Sequence, residues 1–360
     1  MTTSTPTRPA GGAPTVAALA RLHRPLPRWV PYALAALSLA VALGVRATLG
    51  GGPVSTSVVA VLGFLLAVSV VSRRVEGTRR AADRSVTTIV AGMFLATLVP
   101  LVSVLYTVIS NGLQRFDVEF FTLTMRNVVG AGGGGRHAIT GTLIITALAA
   151  VMSIPVGLLT AIYLVEYGGG RLAKAVTFLV DVMTGIPSIV AGLFAYALFV
   201  LVVGPGVRFG IGGAVALSVL MTPVVVRASE EMLKLVPAEL REAAYALGVP
   251  KWRTILKVVL PVAAAGIGTG ITLAIARVIG ETAPLLLIVG RTDSLNTDAF
   301  NGRMETLPVY TYYAFTQPGS RPELSLDRGW TAALVLMMIV LLLNLAARLV
   351  SRAFAPKGGH

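Results

Sequence analysis

Apolar stretches of about 20 residues, separated by short polar and basic connectors, recur along the whole chain. The stretch "TAALVLMMIVLLLNLAA" shows no alternation of period two, so it reads as helix and not as a strand of a membrane barrel. At about 1.5 Å rise per residue, a run of this length crosses a hydrocarbon layer of roughly 30 Å. Eight such spans are expected, at about 29–46, 53–71, 86–110, 138–164, 175–203, 210–227, 262–289 and 330–349. The fold class is an all-α membrane protein, a polytopic helical bundle.

Composition agrees. Of 360 residues 55% are hydrophobic and only 13% charged, against roughly 25% charged in soluble domains. A net charge of +14 suggests nucleic acid until its distribution is examined. Segments 1–28, 72–85, 165–174, 227–261 and 348–360 carry 20 basic and 7 acidic residues, and the opposite set of loops carries 9 and 7. Short basic loops stay in the cytoplasm. Both termini are therefore expected there, with the basic residues facing lipid headgroups and no nucleic acid involved. The segment 1–28, rich in Pro, Thr and Gly, is expected to be disordered. The first apolar run follows Arg21, Arg24 and Arg28 like a signal peptide, but no small-x-small site ends it, so an uncleaved anchor is expected.

Several chemistries are excluded. Without cysteine there are no disulfides, thiolate metal sites or cysteine nucleophiles. His23, His137 and His360 are scattered and have no metal-ligand spacing. "GGGRLAK" (168–174) has Ala173 before its lysine and is no phosphate-cradling loop. "GAGGGG" (130–135) reads as a flexible connector. No metal, cofactor, catalytic residue or ATP hydrolysis is expected of this chain.

Three ionisable residues fall within spans: Asp181, Arg277 and Glu281. Asp181 lies near the basic end of its span and suits an interfacial or interhelical bond. Arg277 lies about 22 Å from the inner end of its span by helical rise, with Glu281 one turn further out on the same face. A guanidinium at that depth costs about 2.5 to 17 kcal/mol unless it meets a partner or a wet cavity. An internal ion pair with Glu281 and a place on the route of an anion are both open. Gly185 and Pro187, followed by Ser188, break span 175–203, as a gate or bend does beside a cavity.

Segment 228–261 reads as two short helices meeting at Gly248, with Leu240, Ala243, Ala244 and Leu247 striping the first and Trp252, Ile255, Leu256 and Val259 the second. A lipid-lying pair and a docking knob for a cytoplasmic partner both fit that pattern.

Here "REAAYALGVPKWRTILKVVLP" (241–261) resembles the EAA loop of ABC-importer permeases. Glu242, Ala243, Ala244, Gly248, Leu260 and Pro261 fall at its spacings, with Val258 where Ile is usual. "ARVIGETAPLL" (276–286) and "TGIPSIVAGLFAY" (184–196) resemble two signatures of the phosphate-specific ABC permease family, of the PstA type. The resemblance covers roughly 86–350. It implies a type I importer core of six spans in a bacterial inner membrane, with 29–71 adding two N-terminal spans. It also implies that Glu239, Arg241, Glu242, Ala243, Ala244, Leu247 and Gly248 couple to a dimer of ATPase subunits. Arg277, Glu281 and Thr282 would border the pathway of inorganic phosphate. A homologous sister permease of the PstC type would supply the other half. An extracytoplasmic phosphate-binding protein would dock on outer loops including 291–329, with Asp293, Asp298, Tyr310, Tyr312 and Tyr313. Rival readings are a permease for sulfate or molybdate, and an ion-driven secondary transporter, for which only Glu281 offers a proton relay.

Overall fold

The computed structural model describes residues 26–354 other than 28 and 51. The N-terminal segment expected to be disordered lies outside them, apart from residues 26 and 27. The described residues are helical and contain no strand. Seven helices are long and apolar enough to cross a membrane, and a bent pair supplies an eighth span, matching the eight expected.

The chain divides into two compact units at Leu105 and Tyr106. In the first, α1 (Val30–Leu49) and α2 (Pro53–Val75) form an antiparallel pair, and α3 (Thr78–Gly112) begins. Gly63 of α2 faces Ser38 of α1, while Leu62 and Leu66 stay exposed, as lipid-facing side chains do. Glu76, between the spans, gathers the Leu26 N–H at 2.7 Å, the Ser72 hydroxyl at 2.6 Å and the Arg84 guanidinium at 2.8 Å. Burial raises its pKa, but these donors outweigh burial and hold the carboxyl below its ordinary value.

The second unit runs through α4 (Val118–Thr122), α5 (Arg136–Ile162, continued by a π-helical turn Tyr163–Tyr167), α6 (Arg171–Thr184), α7 (Ser188–Val203) and α8 (Gly210–Lys234). Then follow α9 (Ala238–Ala246), α10 (Lys251–Thr254, continued by a π-helical turn Ile255–Val259), α11 (Leu260–Val278), α12 (Ala283–Ile288), α13 (Leu307–Thr316) and α14 (Pro322–Phe354). At its centre α5 and α8 pack through small residues. Gly157 lies against Val225, and the Ser153 hydroxyl bonds back to the Ala149 carbonyl at 2.7 Å. Ile145, Leu217, Met221 and Ile288 complete a buried apolar core.

Two spans are broken. The expected bend in 175–203 is present: α6 and α7 meet at 108°. Pro187, with φ −58° and ψ 136°, imposes it. Gly185 keeps an ordinary negative φ of −89°. The expected continuous span 262–289 is corrected. Helix begins already at Lys251, runs 28 residues to Val278, and stops. Pro284 has no N–H to give the Gly280 carbonyl and its ring crowds that carbonyl, so one helix cannot run through, and the chain restarts as α12 with Thr282 at its N-cap and Pro284 in its first turn.

Glycines hold these broken pieces together. A Cβ on Gly192 of α7 would come within 2.5 Å of the Pro284 Cα, and one on Gly212 of α8 within 2.5 Å of the Ile288 side chain. Gly213 similarly faces Val289 and Leu285. The short helix α12 sits in a cradle that only hydrogen can line. Gly192→Val should therefore lower stability by about 1–3 kcal/mol through overpacking. Gly92→Ala, where a Cβ meets nothing within 4 Å, should not lower it. Thermal unfolding of both variants in detergent checks this, and equal behaviour would show that the cradle is not tight.

Candidate functional site

Segment 228–261 holds a short helix and a glycine corner, as its pattern predicts, but the second helix is not a separate short one: it runs on from Lys251 into the span that ends at Val278. Gly248 has φ +74°. Its N–H donates to the Tyr245 carbonyl at 2.9 Å and the Val249 N–H to the Ala244 carbonyl at 3.1 Å, a Schellman closure. Pro250 then caps α10. Along α9, Glu239, Leu240, Glu242, Ala243 and Leu247 are exposed, Leu247 by 84%, while Ala244 is buried. The second stripe is corrected. Ile255 and Val259 are buried, but Trp252 and Leu256 are more than half exposed, because the wide π-helical turn that starts at Ile255 separates the two rows.

Arg241 does not point outward with its neighbours. Its Nε and Nη2 reach the Glu166 carboxylate at 3.0 Å. Nη1 donates to the Val236 carbonyl at 2.6 Å and Nη2 to the Leu233 carbonyl at 2.9 Å. Glu166 is buried in the π-helical turn after α5. One guanidinium thus fastens α9 to the ends of α5 and α8, a pairing across 75 residues that no local pattern announces. Asp181 behaves as the interhelical group expected. It pairs with Arg227 of α8, which also binds Glu230 at 2.7 Å, and Glu230 accepts from Lys234 at 2.6 Å.

Arg277 and Glu281 are not joined. Arg277 occupies the last turn of α11, where its side chain is exposed. Glu281 lies beyond the helix end, half-buried, in the three-residue break that leads to Thr282. The expectation of one helical face fails because Glu281 is no longer on the helix. Among the described residues Arg277 makes no ion pair or hydrogen bond. Part of the backbone of the break bonds locally: the Glu281 N–H donates to the Val278 carbonyl at 3.1 Å, and the Thr282 carbonyl accepts from Leu285 and Leu286. Packing of Gly192 on Pro284 brings the Gly185–Ser188 bend and the Gly280–Pro284 break onto two helices in contact, α7 and α12.

The glycine run 130–135 is not the flexible connector expected. Gly130, Gly132 and Gly133 have positive φ, and Gly133, Gly134 and Gly135 are buried. A Cβ on Gly135 would meet the Phe120 ring at 2.6 Å. Tyr310, expected on an outer docking face, is buried and packs edge-on to His137.

A multi-pass bundle with two protein-packed helix breaks and a short helix braced at one end defines a transporter permease. The family model for binding-protein-dependent transport system inner membrane components matches residues 153–358. A phosphate transport system permease protein PstA 1 of Mycobacterium tuberculosis (strain ATCC 25618 / H37Rv) is 47% identical over 284 residues, 78% of this chain and 91% of that protein. PstA of Yersinia pestis is 38% identical over 79% of this chain and 94% of its own. A chain of a crystallised bacterial alginate ABC transporter, in complex with an alginate-bound periplasmic protein, superposes with a TM-score of 0.53 at 16% identity, over 77% of this chain and 99% of that one. It shares the fold. The chain belongs to the PstA phosphate transport permease family, within the binding-protein-dependent inner membrane components.

The clamp has a measurable consequence. Arg241→Ala leaves the buried Glu166 unpaired, at a cost of about 3–5 kcal/mol for such a group. Amide exchange across 238–248 should rise at least tenfold, while Glu239→Ala, which removes an exposed side chain, should leave it unchanged. Equal exchange in the two variants would mean that Arg241 does not brace the helix.

Proposed function

We propose that the chain is one of two homologous transmembrane subunits of an ATP-driven importer of inorganic phosphate in a bacterial inner membrane, with both termini cytoplasmic. The relatives named as phosphate permeases, identical at 38–47% over nearly their whole length, support the substrate. The observation that carries the mechanism is Arg277. A guanidinium exposed on a span and unpaired among the described residues cannot be left facing lipid at a cost of several kcal/mol. Its face belongs to an aqueous pathway completed by the sister permease. There a planar fork of donors matches an oxyanion bidentately. Glu281 and Thr282 lie in the break immediately beyond, where irregular backbone is tolerated beside a cavity, and the bend at Gly185–Ser188 packs next to it as a gate.

The chain supplies the conduit and not the motor. Segment 228–261 is the coupling loop. An anionic lipid surface does not favour an exposed face carrying Glu239 and Glu242, whereas a groove on an ATPase subunit can receive those carboxylates together with Leu247. Arg241 and Ala244 act from behind, Arg241 by bracing α9 and Ala244 by packing under it, so that displacement of the helix is passed to α5 and α8. A phosphate-binding protein delivers the ion to the outer loops, where Tyr312, Tyr313, Asp293 and Asp298 remain within reach.

Reconstitution with the ATPase, the sister permease and the binding protein should give ATP-dependent uptake of phosphate in preference to sulfate. Preference for sulfate, or uptake that persists without the ATPase, would overturn this reading. Arg277→Ala should abolish uptake with assembly and basal ATP hydrolysis intact, and Arg277→Lys should recover little of it, because an ammonium lacks the fork. Unchanged uptake in Arg277→Ala would remove Arg277 from the pathway. Leu247→Asp should leave the chain folded but cut its copurification with the ATPase at least tenfold, and undiminished copurification would place the contact elsewhere.

A further inference from the structure

At the end of the second unit away from the coupling loop, the segment 125–130, Arg291, Glu305, α13 with the loop after it and the start of α14 line a partly open cavity of about 190 Å³. That is several times the roughly 30 Å³ share of one water in the liquid, and room enough for a small polyatomic ion. Three guanidiniums line it: Arg291, Arg321 and Arg328. Arg328 is only 8% exposed. One of its terminal nitrogens donates to the carbonyls of Gly130 and Gly132, each at 2.9 Å, and among the described residues no carboxylate pairs with it or with Arg321. Arg291 has Asp293 at 3.9 Å, an exposed and loose pair.

A buried guanidinium without a counterion is costly. This one is held in place by glycine carbonyls, which orient it but do not neutralise it. The positive φ of Gly130 and Gly132 turns those carbonyls towards it.

A second observation concerns the floor of the same cavity. Glu305 is 1% exposed, and its Oε1 has no hydrogen-bond partner. Its Oε2 accepts the Thr292 N–H at 3.2 Å and lies 3.5 Å from His137 Nε2, too far for a good hydrogen bond. Burial pushes the Glu305 carboxyl above its ordinary value, against a smaller opposing effect of His137. In the neutral form it is a donor, able to offer its proton to an oxygen of a bound anion.

We propose that this cavity is a binding site for a small tetrahedral oxyanion of the phosphate class, held by Arg291, Arg321 and Arg328 over Glu305. It is separate from the site at Arg277 and does not rest on transport through that residue. Arg328, buried and with no carboxylate partner among the described residues, calls for an anion, and Arg291 and Arg321 add positive charge at the exposed mouth. Three guanidiniums around one cavity favour a compact ion with several acceptor oxygens over the single carboxylate of a docked side chain. Placed at the outer end of the bundle, such a site would hold an anion before it reaches the membrane interior.

Binding is measured on the full-length protein in lipid nanodiscs, carrying Arg277→Ala so that the pathway site is silent, by calorimetry with inorganic phosphate, sulfate and acetate as probes. Phosphate should bind. The double variant Arg291→Gln, Arg321→Gln, which alters the exposed mouth and not the buried clamp, should weaken that binding at least tenfold with no change in thermal midpoint. Acetate should bind at least tenfold more weakly than phosphate. Arg328→Gln should weaken binding too, but it also removes the Gly130 and Gly132 bonds that order the glycine run, so the mouth variant decides. Absence of phosphate binding, binding unaffected by the double variant, or acetate binding as tightly as phosphate would each overturn the proposal, the last pointing to a carboxylate-docking surface. Failure of uptake by Arg277→Ala leaves this outcome untouched, so the two readings fall separately.

Discussion

Backbone that leaves helical geometry inside a bilayer must find its hydrogen-bond partners in protein, because lipid offers none. The second unit depends on how it meets this demand twice. At Gly185–Pro187 and at Gly280–Thr282 the chain turns within a few residues of local bonds to Val182, Met183, Val278 and Thr282. Both turns are then closed off by α7 and α12 lying against each other and against α8. That contact is possible only where Gly192, Gly212 and Gly213 leave room. Small residues are the general means by which helices approach closely in membranes, where apolar burial between helices gains little over contact with lipid tails. Here they also permit irregular backbone at depth, so that Arg277 and Glu281 stand at the end of a helix and not in its middle.

The same economy appears in segment 228–261. A nine-residue helix on its own is marginal in water, and α9 would not transmit a push if it were only tethered. Arg241 converts it into a rigid projection. Its bonds reach Glu166 at the end of α5 and the carbonyls of Leu233 and Val236 after α8, and the Schellman closure at Gly248 fixes the exit. Since α5 and α8 share the central core with α12, a displacement of α9 acts on the helices that hold the break beside Arg277. This connection is contiguous packing, the kind of physical path along which coupling between distant sites travels.

Spans, bend and the glycine corner of the cytoplasmic-type loop 228–261 were legible because their signals are local: apolar runs of membrane length, Pro187 and Gly248. The end of α11 was not. Apolar residues continue through Leu285–Val289, so hydropathy reads one helix where Pro284 and its neighbours make two pieces. The pairings Arg241 with Glu166 and His137 with Glu305 were invisible, since they join residues 75 and 168 positions apart and no motif marks either. The glycine run 130–135 misled for a physical reason. A segment of glycines is the same in composition whether it is loose or whether every absent side chain is replaced by a neighbour's atoms, and here Phe120, Met125 and Val128 fill that space.

Arg277 and Arg328 show why exposure alone is a poor guide to a cation's role. Arg328 is nearly buried, yet its bonds go to neutral carbonyls, so its charge remains uncompensated. Arg277 is exposed in the isolated chain, but water is not what surrounds a membrane span. In both cases the question is which group cancels the charge in the working protein, and among the described residues no carboxylate pairs with either. Arg227 is the useful contrast: it has Asp181 and Glu230, its charge is settled within the chain, and it serves to join α6 to α8. A guanidinium with carboxylates is a strut. One without them, held in place but not neutralised, marks a position that an anion or another subunit must complete.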